Sequence, residues 1–107
     1  MFIAVFVTVP NIKVGKRITK ELLLRRLCAC ANIIKGLESL FWWQGKIDKV
    51  SECLLVMKTR KYLFNKLKKA VKSLHPYDVP EIIALPLVGI NKEYAAWLKK
   101  ETRNKQP

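Results

Sequence analysis

The order of elements in this 107-residue sequence predicts an α+β fold of the ferredoxin-like kind, β-α-β-β-α-β with one appended helix. Three observations carry that prediction. The chain opens on an unbroken apolar, β-branched and aromatic run (residues 1–9, MFIAVFVTV), which reads as a central strand covered on both faces. Two basic stretches repeat their apolar residues at three- and four-residue spacing, as amphipathic helices do. Between the second stretch and the next apolar run stands His75-Pro76-Tyr77-Asp78-Val79-Pro80-Glu81-Ile82, whose two prolines fix φ twice and remove two backbone donors. That rigid polar corner holds the only histidine, and such corners are where small folds carry sites.

Taken in order, Pro10 and Asn11 end the first strand, and Asn11 suits a helix cap. The helix is expected over 13–28, with Val14, Ile18 and Leu22 inward, Leu24 and Cys28 flanking them, and Arg25 close to the same side. Residues 31–44 and 46–58 read as two strands turned at Gly45. Near the tip of this long hairpin Leu40, Phe41, Trp42 and Trp43 alternate between both sides of the sheet. One small core cannot cover both sides, so Phe41, Trp42 and Trp43 are expected to anchor an interface with another copy of the chain.

Thr59 is expected to cap a second helix over 60–74. There Leu63, Leu67, Ala70, Val71 and Leu74 share a stripe, and Lys61, Lys68, Lys69 and Lys72 lie away from it. After the His-Pro corner, a strand over 82–88 contains Pro86 and therefore belongs at a sheet edge. Gly89 and Asn91 open a last helix with Tyr94, Trp97 and Leu98 inward. Residues 1–101 are expected to form one domain and 102–107 a short, loose polar tail.

The formal charge is +13, from 21 Lys and Arg against 8 Asp and Glu, a field that draws anions of every kind. No apolar run approaches the roughly 20 residues that cross a bilayer, and residues 1–9 lack the flanks of a signal peptide. Three cysteines without an export signal are expected to be reduced, which points to a cytoplasmic protein with no membrane partner.

Several motifs then coincide with one family. T-x-P-N (8–11), R-L-x-A-C-A-N-I (26–33), G-L-x-S-L-F-x-W-x-G-K-I (36–47), L-L-V-M-K-T-R (54–60), H-P-Y-D-V-P-E-I-I-A-L-P (75–86) and N-x-x-Y-x-x-W-L (91–98) follow in order. In these the sequence resembles the divalent-cation tolerance (CutA) proteins along nearly its whole length. The resemblance implies a ferredoxin-like subunit in a compact homotrimer, similar in architecture to the PII signalling proteins, and a link to tolerance of copper and other divalent cations. Copper ligands proposed for some members are a Cys just before T-x-P and a His-His pair before the Pro. Here Val7 stands at the first position and Leu74 with His75 at the pair, so one ligand of three survives. Gln44 stands where many members have Glu, and Trp42 where a polar residue or Tyr is more usual.

Each candidate site has a plainer reading. His75 can contact a borderline cation such as copper with Glu81 or Asp78 as carboxylate partner, or it can be a hydrogen-bonding residue that holds the turn. One His and one carboxylate fall short of the three or four ligands of a tight site. Cys28, Cys30 and Cys53 lack metal-binding spacing and read as packing residues, with Cys30 at the family's cysteine position. Asn32, Lys58 and Tyr77, with Trp43 and Trp97, are candidates to line a cleft between subunits for a small anion, though the tryptophans read better as core and interface anchors. The lysine face of the second helix suits phosphates or is simply solvated surface. Residues 52–58 of the expected third strand (ECLLVMK) have no aromatic, which argues against an RRM-type RNA reader, so nucleic-acid contact would be nonspecific and salt-sensitive. No nucleophile with a base and no phosphate loop is legible, so no catalytic residue is expected. The reading is a cytoplasmic, non-enzymatic homotrimer for cation tolerance; the alternatives are a PII-like sensor of a small anion and a nonspecific nucleic-acid binder.

Overall fold

A computed structural model of the chain describes residues 1–104. Its elements are β1 (Phe2–Val9), α1 (Ile12–Leu24), β2 (Cys30–Trp43), β3 (Lys46–Arg60), a 3-10 turn (Lys61–Leu63), α2 (Phe64–Leu74), β4 (Ile82–Pro86) and α3 (Lys92–Glu101). The strands form one antiparallel sheet in the order β2-β3-β1-β4. This is the α+β, ferredoxin-like arrangement expected, with β1 inside the sheet and β4 at an edge, where Pro86 withholds no ladder bond from a further strand. No helix among the described residues is long and apolar enough to cross a membrane.

Pleating divides the strands cleanly. Ile3, Val5, Val7 and Val9 of β1 and Cys53, Leu55 and Met57 of β3 point to one face, where Ile18 and Leu22 of α1 and Leu67, Ala70 and Val71 of α2 bury them. α1 approaches so closely that a Cβ on Gly15 would meet Leu55 Cδ2 at 3.2 Å and Val9 Cγ2 at 3.3 Å. The opposite face carries Ala4 and Phe6 of β1, Leu54, Val56 and Lys58 of β3, Cys30, Asn32 and Ile34 of β2, and Ile83 and Leu85 of β4. α3 reaches only one end of that face, through Tyr94 at Cys30 and the Thr102 hydroxyl at Arg60. The expectation that β1 is covered on both faces is therefore met on one face only by the chain itself.

Asn11 caps α1 as expected, its Oδ1 accepting from the Val14 amide at 2.9 Å. The helix stops four residues before the expected end at 28. Arg26 takes φ of 57°, and the amides of Leu27 and Arg26 donate to the carbonyls of Leu22 and Leu23. This is a Schellman ending without its usual glycine, sealed by the buried pair Leu22 and Leu27. Leu24, expected beside the buried stripe, is 70 % exposed as a result.

Thr59 does not cap α2. It lies inside β3, fully buried, and its hydroxyl donates to the Leu27 carbonyl at 2.7 Å. The strand continues through Arg60 and the 3-10 turn intervenes before α2, whose first turn has no side-chain cap. The hairpin turn has positive φ at both Gln44 (50°) and Gly45 (77°), the geometry that matches strand twist in a two-residue turn. The start of the expected loose tail is fixed: Thr102 is buried, and Arg103 is held by the Arg26 carbonyl, the Arg25 carbonyl and Arg60. Residues 105–107 of that tail lie outside the described residues.

Candidate functional site

β1 pairs with β3 only from Cys53 onward, so residues 46–52 of β3 run on beside β2 alone as a projecting hairpin. Such an arm needs support at its root, and the His-Pro corner supplies it. His75 follows the last turn of α2 and is buried. Its Nε2 lies 2.7 Å from the Thr8 carbonyl, and its Nδ1 accepts from the Tyr77 amide at 3.1 Å. A carbonyl only accepts, so the ring is the Nε2–H tautomer with both nitrogens occupied. Tyr77 packs against the ring at 4.7 Å between centroids and donates its hydroxyl to Glu52 Oε2 at 2.8 Å. Glu52, the last residue of the arm before the main sheet, is buried. Burial first, then the hydrogen bond and charge of Glu52, push the Tyr77 phenol up to about 12. Thr8, His75, Tyr77 and Glu52 thus tie β1 to the hairpin root.

Between arm and corner lies an open groove of about 890 Å³. Glu38, Asp48, Glu52, Asp78 and Glu81 line it, five of the eight carboxylates in a chain of charge +13, with the Trp42 and Trp43 rings at its wall. No lysine or arginine is among its lining residues. Glu38 reaches out to Lys49 at 2.8 Å in an exposed ion pair. The groove concentrates negative potential, yet among the described residues no three His, Cys, Asp or Glu side chains converge to hold a metal ion.

The expected residues therefore separate. Glu81 faces the groove, whereas His75 is turned to the backbone, so the His75 and Glu81 pair expected for metal would need one imidazole bond broken first. Asn32 and Lys58 do meet, the ammonium donating to Asn32 Oδ1, on the face opposite α1 and α2. Within one chain Tyr77 stands apart from them: its partner Glu52 is six residues along β3 from Lys58, about 20 Å. Phe41, Trp42 and Trp43 are exposed, Trp42 most at 72 %.

Two groups escaped sequence reasoning. Glu52 becomes important only through Tyr77, 25 positions away, and no local pattern announces that pair. Tyr94 is expected inward from its spacing, and its hydroxyl lies 3.1 Å from Cys30 Sγ, the cross-strand neighbour of Lys58, a contact that no spacing announces. That hydrogen bond and then burial push the Tyr94 phenol up to about 12, while burial pushes the inner Cys28 thiol up to about 12. The open face with Phe6, Leu54, Val56, Ile83 and Leu85 was legible in part, since an all-apolar β1 demands cover on both sides.

Comparison with known proteins bears on what this geometry serves. The sequence pattern described as "CutA1 divalent ion tolerance protein" matches residues 3–101. The chain is 50 % identical over 101 residues to "Protein CutA 1, chloroplastic" of Oryza sativa subsp. japonica, covering 94 % of this chain and 57 % of that protein. It is 49 % identical over 98 residues to "Divalent-cation tolerance protein CutA" of Thermus thermophilus, covering 92 % and 95 %. The solved structure of the Thermus thermophilus protein superposes with a TM-score of 0.94 at 48 % identity, covering 96 % of this chain and all of that one. The chain spans little more than half the length of the plant relatives it matches.

Proposed function

The chain belongs to the CutA1 divalent ion tolerance protein family, and from that premise we propose that it serves divalent-cation tolerance as a homotrimer that binds or regulates without catalysing a reaction. One observation carries the assembly: the sheet face opposite α1 and α2 is apolar and unpartnered. Ile34 and Ile83 on it are each 48 % exposed and Leu85 41 %, and it is reinforced by the exposed hairpin tip. Contiguous apolar surface on this scale is what association covers. Light scattering tests it: the expected mass is about three times 12.4 kDa, and a stable folded single subunit at micromolar concentration overturns it.

Within that assembly we assign cation contact to the groove carboxylates, Glu81 and Asp78 among them, and to His75 the bracing of the corner. Hard oxygen donors without an imidazole suit weak, exchangeable contact with a divalent ion, and copper needs no special place in the reading. Calorimetry with Cu(II) decides. Asp78→Asn/Glu81→Gln is expected to lose most of the heat, and His75→Ala to keep it while lowering the melting temperature. Heat abolished by His75→Ala in a folded trimer returns the site to the imidazole. The small-anion alternative rests on Lys58 and Asn32, with Tyr77 supplied across a subunit boundary, and a thermal-shift screen with nucleotides tests it by mass action. A cytoplasmic location is part of the proposal, resting on three free thiols; relatives' names include both "chloroplastic" and "Periplasmic".

A further inference from the structure

The helical layer has an electrostatic character that neither the groove nor the open sheet face accounts for. α1 and α2 lie on the same side of the sheet, joined where Arg17 Nη2 donates to the Leu74 carbonyl at 2.8 Å. α1 bears Lys13, Lys16, Arg17 and Lys20; the 3-10 turn and α2 bear Lys61, Lys66, Lys68, Lys69 and Lys72. Against these nine cations the same elements hold one carboxylate, Glu21. Eight of the nine are exposed, and Lys68 lies over the Phe64 ring. The three ion pairs among the described residues are Arg25–Glu21, Arg26–Glu101 and Lys49–Glu38, so none of the nine is neutralised on the protein. Most of the chain's carboxylates sit at the groove instead. The molecule is polarised, with an acidic cleft and an uncompensated basic layer.

We propose that the outer face of α1 and α2 is a docking surface for the phosphate backbone of duplex nucleic acid, read without regard to sequence. The lysines recur at three- and four-residue spacing (13, 16, 20 and 66, 69, 72), so each helix presents a row along its solvent side. The rows are about 10 Å long, and packed helices lie about 8–10 Å apart. A patch of that size meets about four phosphates at once, and releasing their counterions supplies the affinity. Single strands are poorly served, because stacking needs several exposed aromatics along the basic rows: Phe41, Trp42 and Trp43 stand at the hairpin tip, Trp97 on α3, and the basic layer offers only Tyr62 in the 3-10 turn. An anionic membrane is poorly served too. An interfacial helix must offer an apolar face, and those of α1 and α2 are spent in the core; exposed Leu23 and Leu24 lie past the lysine row.

The test is fluorescence anisotropy of a labelled duplex of about 20 base pairs, in chelator to exclude metal-mediated effects. Binding is expected at about 50 mM salt, equal for two unrelated sequences, with a log–log salt slope of about −4. The variant Lys16→Glu/Lys20→Glu/Lys69→Glu/Lys72→Glu is expected to lose more than ten-fold in affinity with unchanged circular dichroism. The corresponding Lys→Gln variant serves if charge reversal impairs folding. Glu38→Gln/Asp48→Asn at the groove is expected to bind at least as well as wild type. The proposal is overturned by absence of binding at low salt, by a flat salt dependence, or by full affinity in the lysine variants. Tighter binding to phosphatidylserine vesicles than to duplex overturns it as well. None of these outcomes depends on whether the carboxylate groove takes cations.

Discussion

The two faces of the sheet are built by the same four strands, from much the same residue types, and they end in opposite conditions. Toward α1 and α2, Val5, Val7, Val9, Leu55 and Met57 lose all contact with water. One residue along each strand, Phe6, Leu54 and Val56 remain half-buried, and Ile83 and Leu85 stand open. Alternation with period two puts apolar side chains on both faces, but the chain owns only enough helix to cover one. The first face therefore determines whether the chain folds, and the second is the surface to which the proposed association is assigned.

That division is broken most severely from the covered side. Leu55→Ala removes a fully buried side chain packed beneath α1 and is expected to cost about 3 kcal/mol, a large share of the stability of a small domain. Urea denaturation checks it, and a loss below about 1 kcal/mol would mean that the core is looser than its burial indicates. On the other face, Val56→Glu or Ile83→Asp is expected to leave far-UV circular dichroism intact while the scattering mass falls to a single subunit of 12.4 kDa. If these variants unfold instead, folding and assembly are one event and the two faces are not separable. Three copies carry a formal +39, thrice +13, so assembly is also expected to weaken at very low salt.

What could be read from the sequence follows from how local each signal is. The largely apolar β1, the α2 stripe and the Asn11 cap are written within a few residues of where they act, and the structure places these elements where expected, with β1 covered on one face only. The end of α1 is different. A glycine normally marks a left-handed C′ residue, and here Arg26 occupies it, its amide donating to the Leu23 carbonyl and its guanidinium to Glu101, 75 positions away. Thr59 looked like a cap because a hydroxyl before an amphipathic run usually is one; its acceptor is instead the Leu27 carbonyl across the core. At the site, the corner was legible from its prolines, but its role as a brace was not. His75 and Tyr77 acquire their partners, Thr8 and Glu52, only when β1 and β3 are brought alongside.

The brace also gives the smallest and sharpest test of how the hairpin arm is held. Tyr77→Phe deletes the hydroxyl that meets Glu52 while keeping the ring against His75, and is expected to cost about 1–2 kcal/mol near neutral pH. The phenol rises from 10.0 to about 12 in the folded chain first because burial penalises its charged form, then because Glu52 accepts its hydrogen bond and would face a second negative charge. A group whose folded pKa is raised contributes stability in full below its unfolded value and loses it as pH climbs through the folded one. The contribution of Tyr77 is therefore whole below about pH 10 and lost between there and about pH 12. Tyr94, raised likewise by Cys30, fades over the same window. The discriminating measurement is the difference between wild type and Tyr77→Phe, followed by tyrosinate absorbance and denaturant midpoint together. The gap is expected to narrow as pH rises through that window. A gap near zero already at neutral pH would mean that the ring's packing on His75, and not the Tyr77 hydroxyl, holds the arm.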